Sequence, residues 1–352
     1  MKIALKLARK AAGFTEPNPL VGAVAVKNNR IVATGYHHRY GTDHAEPDAL
    51  KKTTEQDLTL YVTLEPCVHY GKTPPCADLL IKRKVKRVVA AMMDPNPRVN
   101  GKGIQKLKEN GITVDVGLLE DMARKLNRHY ITYITRPMPY VALRAGVSTD
   151  GKLTDKHRKS QWITGEELRT LSHSLRGEFS AIMAGINTIR DDNPQLNIRE
   201  AAWGDKKLFR VILDTHNTLH PEKGLRIFEE RQRFPLILFS SREAADLTPR
   251  TAHHYFVTPH PDGGLDLREV LETLHRLEIA SVIVEGGGAL INSFLKEGLY
   301  DEIILGQSPT IIGGKDSVQL FAHGTSVSTP IRLEEGEIFT LQSGQVIRAY
   351  RN

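Results

Sequence analysis

Two prolines in three residues, within Arg136-Pro-Met-Pro-Tyr140, divide this chain more sharply than any other feature. Proline has no amide hydrogen, holds φ at about −65° and keeps the preceding residue out of the helical region, so this run is an extended joint between two folded parts. At 352 residues the chain is long for one domain and comfortable for two, each able to bury its own core. Before the joint, an amphipathic first helix leads into β-forming runs at 21–26, 31–35, 58–64, 85–91 and 112–116, with helical patterns between them and a last one over 118–133. Beyond it, strands are expected at 140–145, 181–184, 210–213, 236–239, 281–284 and 302–305. Helices at 166–176, 267–277 and 289–296 lie among these strands, and a hairpin of 338–341 with 345–350 closes the pattern. Strands separated by helices predict α/β sheets with parallel pairs, covered on both faces. The expected domains are 1–138 and 139–352.

Within the first part, His44-Ala-Glu46, Pro66-Cys67 and Pro75-Cys76 supply one imidazole, two thiols and a spare carboxylate. Imidazole and thiolate are zinc donors, and a catalytic zinc with three protein ligands keeps its fourth position for water. Such water ionises near pH ~7 instead of near ~16, which leaves Glu46 free to carry protons. Glu65 to Pro75 follow the strand at 58–64, Pro74-Pro75 opens a helical stretch over 76–84, and Pro47 is expected at the first position of a helix through Leu50 to Thr53. Helix N-termini favour thiolates and bound anions, so backbone and chemistry agree. Two other readings stay open: buried free thiols, or a structural zinc completed by a histidine such as His69. Neither uses the His-x-Glu placement. His-x-Glu followed by Pro-Cys is the signature of zinc-dependent nucleobase deaminases, which closes with Cys-x-x-Cys. Here eight residues, 68–75, separate the two cysteines.

The second part carries Ser281-Val-Ile-Val-Glu-Gly-Gly-Gly-Ala-Leu290, an apolar strand running through three glycines into a helix. That arrangement lets backbone amides approach a pyrophosphate at a helix N-terminus, although glycine-rich turns of this kind also occur without ligands. It does not fit Gly-x-Gly-x-x-Gly, so no Rossmann fingerprint is read here.

The wording Glu65-Pro-Cys-Val-His-Tyr-Gly-Lys-Thr-Pro-Pro-Cys76, with Pro17-Asn-Pro-Leu-Val-Gly22 and Asp94-Pro-Asn-Pro-Arg-Val99, resembles the deaminase half of the bifunctional deaminase–reductases of riboflavin biosynthesis. Ser148-Thr-Asp-Gly-Lys152, Ser160-Gln-Trp-Ile-Thr164, Arg176, and Thr188 through Asp192-Asn-Pro-Gln-Leu196 to Arg199, together with the glycine turn, resemble the reductase half. The resemblance implies a cytidine-deaminase-like three-layer α/β domain followed by a dihydrofolate-reductase-like domain. It implies zinc on His44, Cys67 and Cys76, with Glu46 as the catalytic acid and base. It implies NADPH on Gly146, Trp162, Thr188, Asp192, Thr215, Gly287, Gly288, Ala289, Leu290, Ile291, Asn292 and Ser293. The phosphoribosyl substrate would meet Ser160, Arg176, Leu196, Arg199 and Glu285; arginine's planar fork suits a phosphate. The sequence departs from the family at Pro47-Asp48, at Thr149 and at Arg144, where lysine is common.

Composition narrows the function further. Apolar residues make up 40% and charged residues 25%, with no run approaching the roughly 20 apolar residues that span a bilayer. Lys6, Arg9 and Lys10 interrupt any signal-like core in the basic opening segment, and both cysteines are used by the zinc reading, so a cytoplasmic enzyme is expected. The net charge of +7 is scattered, with few aromatics interleaved, which favours phosphorylated small molecules over nucleic acid as partners. A homo-oligomer is expected. The rival readings are a nucleoside or tRNA deaminase with a non-redox C-terminal binding domain, and a zinc-stabilised sensor without turnover.

Overall fold

The computed structural model describes residues 1–71, 73–155, 165–221, 224–321 and 331–351. The chain divides into two compact units, Met1–Pro137 and Met138–Asn352.

The first unit runs α1 (Lys2–Arg9), β1 (Gly22–Lys27), β2 (Arg30–Tyr36), α2 (Ala45–Leu50), β3 (Thr59–Val62), α3 (Cys76–Lys82), β4 (Arg87–Ala90), α4 (Lys102–Glu109), β5 (Thr113–Val116), α5 (Glu120–Leu126) and α6 (Arg128–Thr135). Its five-stranded sheet has the order β2-β1-β3-β4-β5. Strand β1 is antiparallel to both neighbours, whereas β3, β4 and β5 are parallel. Two glycines let helices settle on the sheet. A Cβ on Gly22 would lie 2.0 Å from the Ala4 carbonyl oxygen of α1, and one on Gly35 would lie 2.3 Å from the Ala49 nitrogen of α2. Gly35 pairs with Ala23, the neighbour of Gly22, and facing residues of paired strands share a side, so the two glycines open opposite faces. The apolar face of α2 (Ala45, Ala49, Leu50) thereby joins Leu60, Val62 and Val88 in one core.

The second unit adds β6 (Tyr140–Val147), β7 (Lys152–Thr154), α7 (Glu166–Gly177), β8 (Ala181–Gly185), α8 (Ile186–Asp192), β9 (Phe209–Leu213), β10 (Leu236–Ser241), β11 (His253–Val257), α9 (Leu267–Arg276), β12 (Ser281–Glu285), α10 (Gly288–Glu297), β13 (Glu302–Gln307), β14 (Val318–Gln319), β15 (Leu333–Leu341) and β16 (Gly344–Arg351). Nine strands form one sheet in the order β11-β10-β9-β8-β12-β6-β13-β16-β15, and β14 pairs with β7 apart from it. Strands β11 to β13 in that order are parallel; the closing hairpin is antiparallel. Along β6 and β12, Val141, Leu143, Val282 and Val284 enter one core while Tyr140, Ala142 and Ile283 enter another. Both faces are therefore buried, as the unbroken apolar runs of parallel strands require.

Several expectations need correction. The helix over 118–133 is two helices, α5 and α6, interrupted at Asn127, whose side chain accepts from the Leu20 amide at 2.7 Å and donates to the Leu20 carbonyl at 3.0 Å. Helix α2 starts at Ala45 with His44 as its N-cap, so Pro47 is its third residue, still inside the first turn where a missing amide costs nothing. Helix α3 stops at Lys82, short of residue 84. Strand β11 and helix α8 went unread: β11 is an edge strand opening with two histidines, and α8 is only seven residues long.

Gly35→Ala is expected to destabilise the protein by roughly 1–3 kcal/mol through overpacking against α2. Because α2 carries His44 at its head, bound zinc should fall as well. Thermal unfolding and zinc stoichiometry on the same preparation check this; an unchanged melting temperature with full zinc would contradict the packing argument.

Candidate active sites

The first site assembles at the ends of β3, α2 and α3. Just past β3, the buried Glu65 carboxylate accepts the amides of Asp94 (3.2 Å), Gly101 (2.9 Å), Gly103 (2.8 Å) and Ile104 (3.2 Å), which ties the segment leading to Cys67 to the loop after β4 and to the first turn of α4. Cys67 Sγ accepts the Cys76 amide at 3.4 Å, at the first residue of α3. His44 Nδ1 lies 3.6 Å from Cys67 Sγ and 3.3 Å from Cys76 Sγ, and the three donor atoms fall within 4.8 Å of one another. Among the described residues no fourth donor joins this set, so His69 does not complete it and the closed structural-zinc reading fails. The buried His69 Nδ1 has no hydrogen-bond partner.

Electrostatics suit a soft divalent cation. The two thiols share one proton: Cys67 is pulled down to about 4, chiefly by the hydrogen bond from Cys76 and then by His44, while Cys76 is pushed well up by the same bond and by burial. The bond to Cys67 raises His44 against the opposing effect of burial. Glu46 is 3% exposed and lies outside the donor set. Burial, and then the charge of Cys67, push it up to about 7. A carboxyl poised there both takes and returns protons at neutral pH. One imidazole nitrogen and two sulfurs, with one sulfur already ionised, fit zinc with a position left over.

Asp48 is spent on its own surroundings. It accepts from the Tyr36 amide and from Lys52, each at 3.0 Å, and pairs with His38 at 3.2 Å. Sequence reasoning missed Tyr130, whose hydroxyl donates to the buried Asp94 carboxylate at 2.8 Å. Its partner is 36 positions away, beyond the reach of any local pattern.

The second site is a cavity of about 960 Å³ at the strand ends of the second unit. Gly146, Thr188, Asp192, Thr215, Gly287, Gly288, Ala289, Leu290, Asn292 and Ser293 line it, as do Arg176, Leu196, Glu285 and Arg144. Ile291 instead faces the core, and Arg199 is exposed, its Nε 3.4 Å from Asn197 Oδ1. Ser160 and Trp162 fall outside the described residues.

Helix α10 starts at Gly288 behind Gly287, which caps it with no side chain. A Cβ on Gly287 would meet nothing, so its backbone is open to approach. Further along, Asn292 Nδ2 donates to the Leu320 carbonyl at 3.0 Å while its buried Oδ1 has no partner. Uncapped amides, open backbone and an unsatisfied acceptor in a cavity this large fit a dinucleotide cofactor.

Beside them, Glu285 is held bidentately by Arg176, with Nε to Oε1 at 2.9 Å and Nη2 to Oε2 at 2.8 Å, and by Arg144 Nη1 at 3.2 Å. Although burial pushes the other way, Arg176 and then Arg144 pull Glu285 down to about 2. Two guanidiniums around one carboxylate leave one positive charge facing the cavity. The Arg176 fork is thus engaged by Glu285 and by the Asn197 carbonyl at 2.9 Å, a pairing that sequence spacing does not reveal.

Residues 139–347 match the RibD C-terminal domain family, and residues 1–92 match the cytidine and deoxycytidylate deaminase zinc-binding region. The riboflavin biosynthesis protein RibD of Aquifex aeolicus is 42% identical over 315 residues, covering 89% of this chain and 87% of the relative. That of Escherichia coli is 37% identical over 326 residues, covering 89% and 88%. Among solved structures, a diaminohydroxyphosphoribosylaminopyrimidine deaminase/5-amino-6-(5-phosphoribosylamino)uracil reductase from Thermotoga maritima has a TM-score of 0.88 at 36% identity, covering 100% of this chain and 97% of that one. Acinetobacter baumannii RibD reaches 0.87 at 33% identity, with the same coverage.

Zinc binding must expel the proton shared by the two thiols. Affinity is therefore expected to rise by about tenfold per pH unit above the raised His44 pKa and below that of Cys76, and more steeply below the former, where His44 must also give up its proton. Titration calorimetry in buffers of different ionisation enthalpy checks this, and zinc uptake without proton release would contradict it.

Proposed function

The chain belongs to the RibD family of bifunctional riboflavin-biosynthesis enzymes, and on that premise we infer which residues carry each of its two reactions. Residues 1–138 are assigned the hydrolytic removal of the C2 amino group from 2,5-diamino-6-(5-phosphoribosylamino)pyrimidin-4(3H)-one. Residues 139–352 are assigned the NADPH-dependent reduction of the ribosyl group of 5-amino-6-(5-phosphoribosylamino)uracil to ribityl. The observation that carries the first assignment is the buried Glu46 carboxyl, two residues from His44 and outside the three-donor zinc set.

Zinc on His44, Cys67 and Cys76 supplies the Lewis acidity that makes water nucleophilic near neutral pH. Glu46 takes the proton of the attacking water on its carboxylate oxygen, returns it to the ring nitrogen beside C2, and then assists the departure of ammonia. The heads of α2 and α3 hold His44 and Cys76 in place and favour the negative charge that gathers between them.

In the second unit, the uncapped amides at the head of α10, Gly288, Ala289 and Leu290, would hold the cofactor pyrophosphate, and the Asn292 side chain would offer it an unpartnered oxygen. Gly146, Thr188, Asp192, Thr215 and Ser293 complete the lining on the cofactor side. NADPH supplies the hydride that C1′ accepts once the sugar ring is open as an imine. The protein's share is to align nicotinamide and sugar carbon and to present the surplus cation of Arg144, Arg176 and Glu285 to the anionic substrate, with Leu196 packing beside it. Arg199, exposed two residues beyond Asn197, is the fork assigned to the substrate phosphate.

No helix among the described residues is long and apolar enough to cross a membrane. We place the enzyme in the cytoplasm as a homo-oligomer, the first on the reduced state its two zinc-binding thiols need.

Glu46→Gln is expected to abolish ammonia release while NADPH oxidation on the already deaminated uracil substrate stays at the wild-type rate. Coupled assays of the two half-reactions measure both. Loss of both activities would contradict the assignment of separate sites.

A further inference from the structure

Arg210 on β9 is 1% exposed, and it is one of the largest fully buried side chains of the described residues. Among those residues its hydrogen-bond partners are three main-chain carbonyls: Nη1 donates to Gln195 at 3.2 Å, and Nη2 donates to Glu229 at 2.8 Å and to Phe234 at 2.5 Å. Its guanidinium also lies over the Phe234 ring, 5.8 Å from the centroid, and feels the charges of Glu229 and Glu230, yet burial still pulls it down to about 10. A buried cation whose hydrogen bonds all go to carbonyls is costly, and structures keep one where the geometry it enforces matters. What it enforces is the loop after α8. Asn193 and Leu196 both have positive φ, 40° and 47°, and for a leucine that is strained backbone. The carbonyl that Arg210 grips lies between them. From the other side, Asn193 Oδ1 accepts the Arg226 amide at 2.8 Å, and Gln195 Nε2 donates to Glu229 Oε2 at 2.6 Å, so the loop is seated against the 226–234 turn that Arg210 also grips. This loop places Leu196 in the cavity and turns the Asn197 carbonyl toward Arg176, which in turn grips Glu285.

We propose that Arg210 is a positioning residue for the reductase reaction: by fixing the strained 193–197 loop it sets Leu196, Arg176 and Glu285 against the phosphoribosyl substrate, without touching substrate or cofactor itself. The proposal rests on the assignment of this cavity to that substrate.

The test uses the full-length zinc-loaded enzyme with Arg210→Met, which keeps the bulk of the side chain and removes its donors, and Arg210→Lys, which keeps the charge. With NADPH and 5-amino-6-(5-phosphoribosylamino)uracil, Arg210→Met should raise KM for the uracil substrate by about tenfold or more, as expected for displaced positioning groups. NADPH affinity, read by quenching of nucleotide fluorescence, and ammonia release should stay within about twofold, because the assigned cofactor contacts lie outside residues 193–197 and the deaminase site lies in the other unit. Arg210→Lys should restore much of the KM, and hydrogen exchange at 193–199 in substrate-free enzyme should quicken in Arg210→Met. An unchanged KM in Arg210→Met, a parallel loss of NADPH affinity, or no rescue by lysine would overturn the proposal. If Arg210→Met does not fold, Arg210→Gln, which removes the charge and shortens the reach of the donor, carries the test: raised KM and faster loop exchange support the proposal, and wild-type values of both refute it. Wild-type enzyme that fails to turn over the uracil substrate would instead sink the functional assignment, and the loop exchange would then judge Arg210 by itself.

Discussion

The convergence of two helix heads on the Cys67 sulfur is the constraint on which the first unit depends. Helix α2 brings His44 as its N-cap and α3 brings Cys76 as its first residue, and the Cys76 amide donates to the sulfur between them. Each helix is held there by something outside the site. The bare face of Gly35 lets α2 lie against the sheet, and Glu65 gathers four backbone amides so that the chain leaving β3 turns toward α3. Donors from three separate segments thus meet within the span of one metal ion, and burial of the neighbouring Glu46 raises its proton affinity into the useful range.

The second unit meets the same electrostatic difficulty differently. Where the first unit shares one proton between two sulfurs, the second buries a carboxylate between two guanidiniums, and Glu285 stays ionised because Arg176 and Arg144 outweigh the cost of burial. Breaking such a cluster from one side costs about 3–5 kcal/mol, so its members stand or fall together. Arginine at 144 reaches both Glu285 and Ser172 with separate nitrogens of one planar group, which a lysine could not do. The departure noticed in the sequence is thereby accommodated within the cluster.

Local spacing explains what was legible beforehand. His44, Glu46, Cys67 and Cys76 occupy short stretches with a fixed relation to strand and helix ends, so their meeting could be read from residues 44–76 alone. The glycine turn at 286–288 was readable for the same reason, and the parallel strands showed as unbroken apolar runs. What escaped was set by contacts distant in sequence. Asn127 breaks a helix because Leu20 offers it both an amide and a carbonyl. The Arg176 fork is taken by a glutamate 109 positions away. Ile291, inside a run expected to touch cofactor, turns to the core because successive helix positions face different sides. Arg210 drew no notice in the sequence because its partners are carbonyls, which every residue carries.

The claim underlying the deaminase is that zinc is held by one imidazole and two thiolates, with one position left to solvent. X-ray absorption at the zinc edge of the purified enzyme tests this most directly. The account predicts two sulfurs at about 2.3 Å and two lighter donors at about 2.0–2.1 Å, one of them histidine nitrogen and the other exchangeable water oxygen. A third sulfur, a second histidine in the shell, or a shell closed by Glu46 would contradict it.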